Sequence, residues 1–192
     1  MDIKELSSFP PKPWFIVSGP NLNQQASNGV NINLSTPSSS LSTPVDLTPS
    51  GANLAGSTGC AESLCVPGMT YRIRVYTSMN APGGGARGRF YIAQDAAGTI
   101  PLTPATSITL SGSPVVGPIP IDFDIVYKQV GAAGVCVTVG SLFFPSLDLV
   151  NLLTNTTTAS TVGGVSLHFI VQWDVAGVNT CTLVGYTSER LY

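Results

Sequence analysis

Apolar and polar residues alternate along much of this chain with a period of two, a rhythm that predicts strands rather than helices. It is clearest in Met69–Ser78, where Tyr71, Ile73 and Val75 fall on one face and Arg72, Arg74 and Tyr76 on the other. Ile121-Asp122-Phe123-Asp124-Ile125 repeats it, with apolar residues inward and carboxylates outward. Val165–Val175 sets Val165, Leu167, Phe169, Val171 and Trp173 against Ser166, His168, Ile170, Gln172 and Asp174. Further β-type runs lie at Trp14–Ser18, Val30–Leu34, Val45–Leu47, Gly88–Gln94, Ser107–Leu110, Ile119–Val130, Val135–Phe143 and Cys181–Thr187. Residues 35–58 are rich in Ser, Thr, Pro and Gly and read as a long loop. Only Ser146–Leu153 hints at a helical turn.

Many short strands spaced by turn residues, with almost no helix, predict an all-β, antiparallel sandwich or barrel. Eight main strands with long end loops favour an eight-stranded jelly-roll sandwich. The Cys…Trp…Cys spacing of an immunoglobulin domain is missing. Pro10, Pro11 and Pro13 exclude regular helix or central strand at the start, so residues 1–13 are expected to form an extended N-terminal arm. The remainder, 14–192, is expected to be one jelly-roll domain.

Composition then changes the picture. Only 9% of the 192 residues are charged, against about 25% in ordinary soluble domains. Ser, Thr, Asn and Gly supply the polar surface instead, and such a surface suits close subunit packing. A net charge of -2 argues against a nucleic-acid partner, whose protein surface is normally basic. No run approaches the roughly 18 apolar residues of a spanning helix, so no membrane span is expected. Met1-Asp2-Ile3-Lys4-Glu5 lacks the pattern of a secretion signal.

The motifs that carry chemistry are sparse. Gly83-x-Gly85-x-x-Gly88 formally matches a dinucleotide fingerprint, but a strand follows where a helix is needed, so it reads as a flexible hairpin loop. His168 is the single histidine, which excludes a multi-histidine metal site. It reads as a satisfied or solvated residue. With no coherent nucleophile–base pairing, the chain is expected not to be an enzyme and to need no cofactor. Asp122 and Asp124 share a strand face, where the choices are acid–base chemistry, Ca²⁺ or a plain polar face. Arg72, Arg74, Arg87 and Arg89 also alternate, and are placed across one hairpin from each other. Such a cluster needs carboxylates, from Asp122, Asp124, Asp174 or a neighbouring subunit, which makes it a candidate subunit contact.

Phe143 and Phe144, in Leu142-Phe143-Phe144-Pro145, and the segment Val115–Pro120 read as apolar loop ends that would pack against neighbouring subunits. Cys60 and Cys65 are close enough in sequence for a disulfide, although four cysteines permit three pairings and free thiols or a metal remain open. Asn33-Leu34-Ser35 and Asn155-Thr156-Thr157 are glycosylation sequons, the second in an expected polar loop.

Taken together, the chain resembles single jelly-roll capsid proteins, above all penton or minor capsid subunits of large icosahedral DNA viruses. The resemblance rests on Phe9-Pro10-Pro11-Lys12-Pro13-Trp14, on the strand number, the long loops and low charge, and on the closing pair His168–Trp173 and Cys181–Tyr186. It implies a structural protein with no catalytic residues, located in the virion and assembled in the host cytoplasm. Its partners would be itself, as a pentamer or trimer, and other capsid proteins, with a host receptor or glycan as a further option. Two other readings compete. One is a trimeric C1q/tumour-necrosis-factor-like receptor-binding head, and the other a carbohydrate-binding module using Trp14, Tyr76 or Tyr91.

Overall fold

The computed structural model describes residues 15–18, 29–33, 44–48, 53–55, 60–81, 86–103, 108–110, 115–144, 149–173 and 178–191. The expected arm at 1–13, Asp174 and Pro145 lie outside them, as do the side chains of Phe143 and Phe144.

Eleven strands are present among the described residues: β1 (Phe15–Ser18), β2 (Gly29–Asn33), β3 (Val45–Asp46), β4 (Thr70–Ala81), β5 (Ala86–Ala93), β6 (Ile108–Leu110), β7 (Val115–Gln129), β8 (Val135–Phe144), β9 (Leu149–Thr158), β10 (His168–Trp173) and β11 (Val178–Leu191). The larger sheet runs β1-β11-β4-β7-β8-β9, with β2 also on β11, and the smaller runs β3-β10-β5-β6. All the pairings between these strands are antiparallel.

That order is a jelly roll. β1 pairs β11, β3 pairs β10, β4 pairs β7 and β5 pairs β6, which is one long hairpin of nested pairs. Rolling that hairpin brings β11 against β4 and β10 against β5, and so creates the two sheets. The β8–β9 hairpin is an addition that widens the larger sheet beyond β7. β1 and β2 pair successive stretches of β11 and so share one of its edges.

The predicted alternation holds where it is deepest. Tyr71, Ile73 and Val75 of β4 face inward with Ile121, Phe123, Ile125 and Tyr127 of β7, all buried. They meet Phe90 and Ile92 of β5 and Phe169, Val171 and Trp173 of β10. Phe123 and Phe169 pack across the two sheets with ring centroids 6.5 Å apart, and Phe90 meets Trp173 edge-on at 5.7 Å. A register shift between Leu183 and Gly185 changes the facing of β11, so that Leu183 and Tyr186 both reach the core.

Three expectations are corrected. Of the helical turn expected at Ser146–Leu153, the described part, from Leu149, is strand β9 instead, paired residue by residue with β8 from Phe144 to Val135. Asn155 therefore lies within a strand, where its amide reaches the Leu102 carbonyl, and not in a polar loop. Val115–Pro120 and Leu142–Phe144 belong to strands β7 and β8 rather than to loop ends, and Ile119 is buried. Phe143 and Phe144 end β8, opposite Val150 and Leu149.

Candidate functional site

β4 lies between β11 and β7, so its outward side chains look onto both neighbours. Arg72 is opposite Glu189 on one side and Asp124 on the other, and Arg74 is opposite Thr187 and Asp122. Arg74 makes a two-pronged pair with Asp122, Nε to Oδ1 and Nη2 to Oδ2, each at 2.5 Å. Arg72 Nε donates to Asp124 Oδ1 at 3.1 Å. Hydrogen bonds to Asp122 and then to Tyr76 hold the Arg74 guanidinium more firmly protonated than usual. These residues, with Tyr76, Thr187 and Glu189, line an open concavity of about 530 Å³ on the outer face of the larger sheet.

Of the residues singled out from the sequence, the fold brings together Arg72, Arg74, Asp122 and Asp124. It does not bring Arg87 and Arg89 to them. β4 and β5 do not form a hairpin: the chain passes from the larger sheet to the smaller between them, which places Arg87 and Arg89 opposite Thr109 and Gln172 in the other layer. The carboxylates that counter Arg72 and Arg74 come from β7 of the same chain, which the sequence left open.

Part of the outer face of the smaller sheet, around Tyr91 and Ile170, is covered by the chain itself. Tyr91, Ala93 and Ile170 form a small buried cluster there. Gly98 lies over it: its carbonyl accepts from Tyr91 Oη at 3.2 Å, and a Cβ at this position would meet that hydroxyl at 2.7 Å. Asp95 holds the covering turn, accepting from Thr99 N (3.1 Å), Thr99 Oγ1 (2.7 Å) and Ile100 N (2.7 Å). Partial burial works against the Asp95 charge, but the bonds from Thr99 and Ile100 prevail and hold its carboxyl below the usual range.

Beside that cluster, His168 is satisfied at both ring nitrogens. Nδ1 is 2.7 Å from Asp46 Oδ2, and Nε2 is 2.7 Å from Ser166 Oγ. Asn53 Nδ2 donates to the same Oγ at 2.7 Å. The reading of a satisfied histidine holds. No sequence pattern pointed to Asp46 as its partner, because the two lie 122 positions apart.

Cys60 and Cys65 are free thiols with sulfurs 3.9 Å apart. Arg190 Nη1 donates to Cys60 Sγ at 3.1 Å, and its Nη2 bonds the Leu64 carbonyl. Burial first, and then the Cys60 thiol, push Cys65 up to about 11, against the pull of Arg190. Cys136 is pushed up to about 11 by burial, and Cys181 is raised for the same reason. Among the described residues no group of three or more His, Cys, Asp or Glu is arranged to hold a metal ion. No described helix is long and apolar enough to cross a membrane.

No family model and no curated protein matches the chain. Among solved structures it is similar to lectin I from Ulex europaeus in complex with the methyl glycoside of alpha-L-fucose (12% identity, 64% of this chain and 72% of that one, TM-score 0.30). It is also similar to the CBM2 module of the evolved Dit of Lactobacillus casei BL23 phage J-1 (11% identity, 85% and 69%, TM-score 0.27). A third is the carbohydrate recognition domain of Emp47p (8% identity, 66% and 74%, TM-score 0.26). At these scores the likeness carries no argument about ligands, and the jelly-roll assignment rests on the strand order above.

Proposed function

We propose that this chain is a structural subunit that self-associates through the outer face of its larger sheet, as a penton or minor capsid subunit of a large icosahedral DNA virus. One observation carries the choice of face. The smaller sheet is capped by its own 94–100 turn, leaving Tyr91 2% and Ile170 0% exposed, whereas the larger sheet leaves Tyr76 37% and Val139 42% exposed beside the Arg–Asp ladder. Arginines already neutralised by neighbouring aspartates lose less on burial than lone charges would, so this face is chemically suited to meet a second copy of the chain. The low overall charge and the jelly-roll order support the same reading.

A second reading is favoured by the lining of the concavity. Carboxylate acceptors at Asp122, Asp124 and Glu189, guanidinium donors at Arg72 and Arg74 and the ring of Tyr76 are the groups a neutral glycan uses. Native mass spectrometry of the purified chain tests the first reading. A closed pentamer is the expected result, and a trimer would also support self-association. A monomer at every concentration would overturn it. Glycan-array binding that is lost in Tyr76→Ala would then establish the second.

A further inference from the structure

With a neutral imidazole at His168, the surrounding bonds set the direction of each proton from Asn53 to Asp46. Asn53 Oδ1 accepts from Ala55 N at 2.8 Å and Leu167 N at 2.9 Å, so its amide nitrogen must be the atom facing Ser166. Ser166 Oγ accepts that N–H. Asp46 is acceptor only; its Oδ2 faces His168 Nδ1 while its Oδ1 accepts from Thr48 N at 2.9 Å. A neutral imidazole in this setting carries its proton on Nδ1. Nε2 is then bare and accepts the Ser166 hydroxyl proton.

A hydroxyl hydrogen-bonded to a base, with the base oriented by a carboxylate, is the arrangement that activates a serine nucleophile. We propose that Ser166, His168 and Asp46 form an acyl-transfer site for carboxylic esters. Ser166 Oγ attacks the ester carbonyl while its proton passes to His168 Nε2. The C–O bond to the alcohol breaks, the alcohol leaves with that proton, and the acyl group stays on Ser166. Water then attacks the acyl-serine, giving its proton to Nε2. The carboxylic acid is released and the hydroxyl regains the proton. In this step the Asn53 Nδ2–H, which rests on Ser166 Oγ at 2.7 Å, turns to the carbonyl oxygen as it gains charge. Asp46 is a positioning residue, holding the tautomer.

Ser166 and His168 are both half-buried on the outer side of the smaller sheet, with His168 15% exposed at its side chain, and an ester must approach from that side. The inference is independent of the assembly face, which belongs to the other sheet.

The test is a fluorophosphonate probe on the full chain, read by intact mass and by mapping the modified peptide. The expected result is one adduct, on Ser166 and absent in Ser166→Ala, with p-nitrophenyl acetate hydrolysis lost in the same variant. His168→Gln should slow labelling by about 100-fold or more, the usual contribution of a general base. A hydrogen-bonded strut with no chemistry would instead leave the folded wild-type chain unlabelled, label it at another residue, or keep the wild-type rate in His168→Gln. Any of these overturns the proposal. Peptide mapping on the wild type needs no variant to fold.

Discussion

At the scale of single residues, the thiols report how dry the interior is. Cys136 is fully buried in β8, and its ionisation moves from the ordinary 9.0 up to about 11. Cys65 moves over the same range with Cys60 beside it. Between pH 9 and 11 the unfolded chain therefore ionises these thiols while the folded chain keeps their protons. Ionisation then favours the unfolded state: the stabilising effect is whole below pH 9 and is lost as pH rises toward 11. Urea unfolding midpoints should fall with pH across this window, Cys136 contributing at most about 1.4 kcal/mol per pH unit. Cys136→Ala should flatten the decline between pH 9 and 10, before the unfolded chain's tyrosines ionise. A midpoint that stays level from pH 8 to 11 would show that these thiols are not desolvated.

At the scale of elements, the covering turn over the smaller sheet depends on one carboxylate. Asp95 gathers Thr99 and Ile100, and Gln94 N closes the turn on the Ile100 carbonyl at 2.9 Å. Asp95→Ala should free the turn and expose Tyr91 and Ile170, seen as new binding of an apolar dye, with a loss of about 1 kcal/mol for each unreplaced bond. Acid should imitate the variant. The Asp95 carboxyl is held below its ordinary 3.8, so its contribution is present above that pH and disappears as pH falls through the lower folded value.

This turn also marks where the sequence stops being legible. The inner faces of β4, β7 and β10 were readable because one residue in two must be apolar when a strand borders a single core. Ile170 and Gln172 fall on the alternate face of their run and are nevertheless buried, Ile170 because the turn at Gly98, far away in the sequence, folds over it. β9 was hidden by its Thr and Asn run, which reads as loop until it is paired with β8. Arg87 and Arg89 were misplaced because a Gly-rich connection looks the same whether it turns within a sheet or crosses between two. Asp46, Ser166 and His168 could be joined only by the pairing of β3 with β10.

At the scale of the whole molecule, the question is what the Arg–Asp ladder is for. Its contribution to folding is small. Arg72 and Arg74 are 59% and 50% exposed at their side chains, and exposed pairs of this kind add about 0–1 kcal/mol each. The core is built without them, from the buried residues of β4, β5, β7 and β10. Five of the chain's 18 charged residues, Arg72, Arg74, Asp122, Asp124 and Glu189, are nevertheless gathered on one open face. Arg72→Ser with Arg74→Ser separates the two roles. The double variant should keep its β circular dichroism and lose no more than about 2 kcal/mol in urea unfolding. In native mass spectra it should fall to monomer, because Asp122 and Asp124 would then be buried against the neighbouring copy without their guanidinium partners. An assembly that survives the double substitution, in a chain of unchanged stability, would remove this face from the contact and leave its concavity to a ligand.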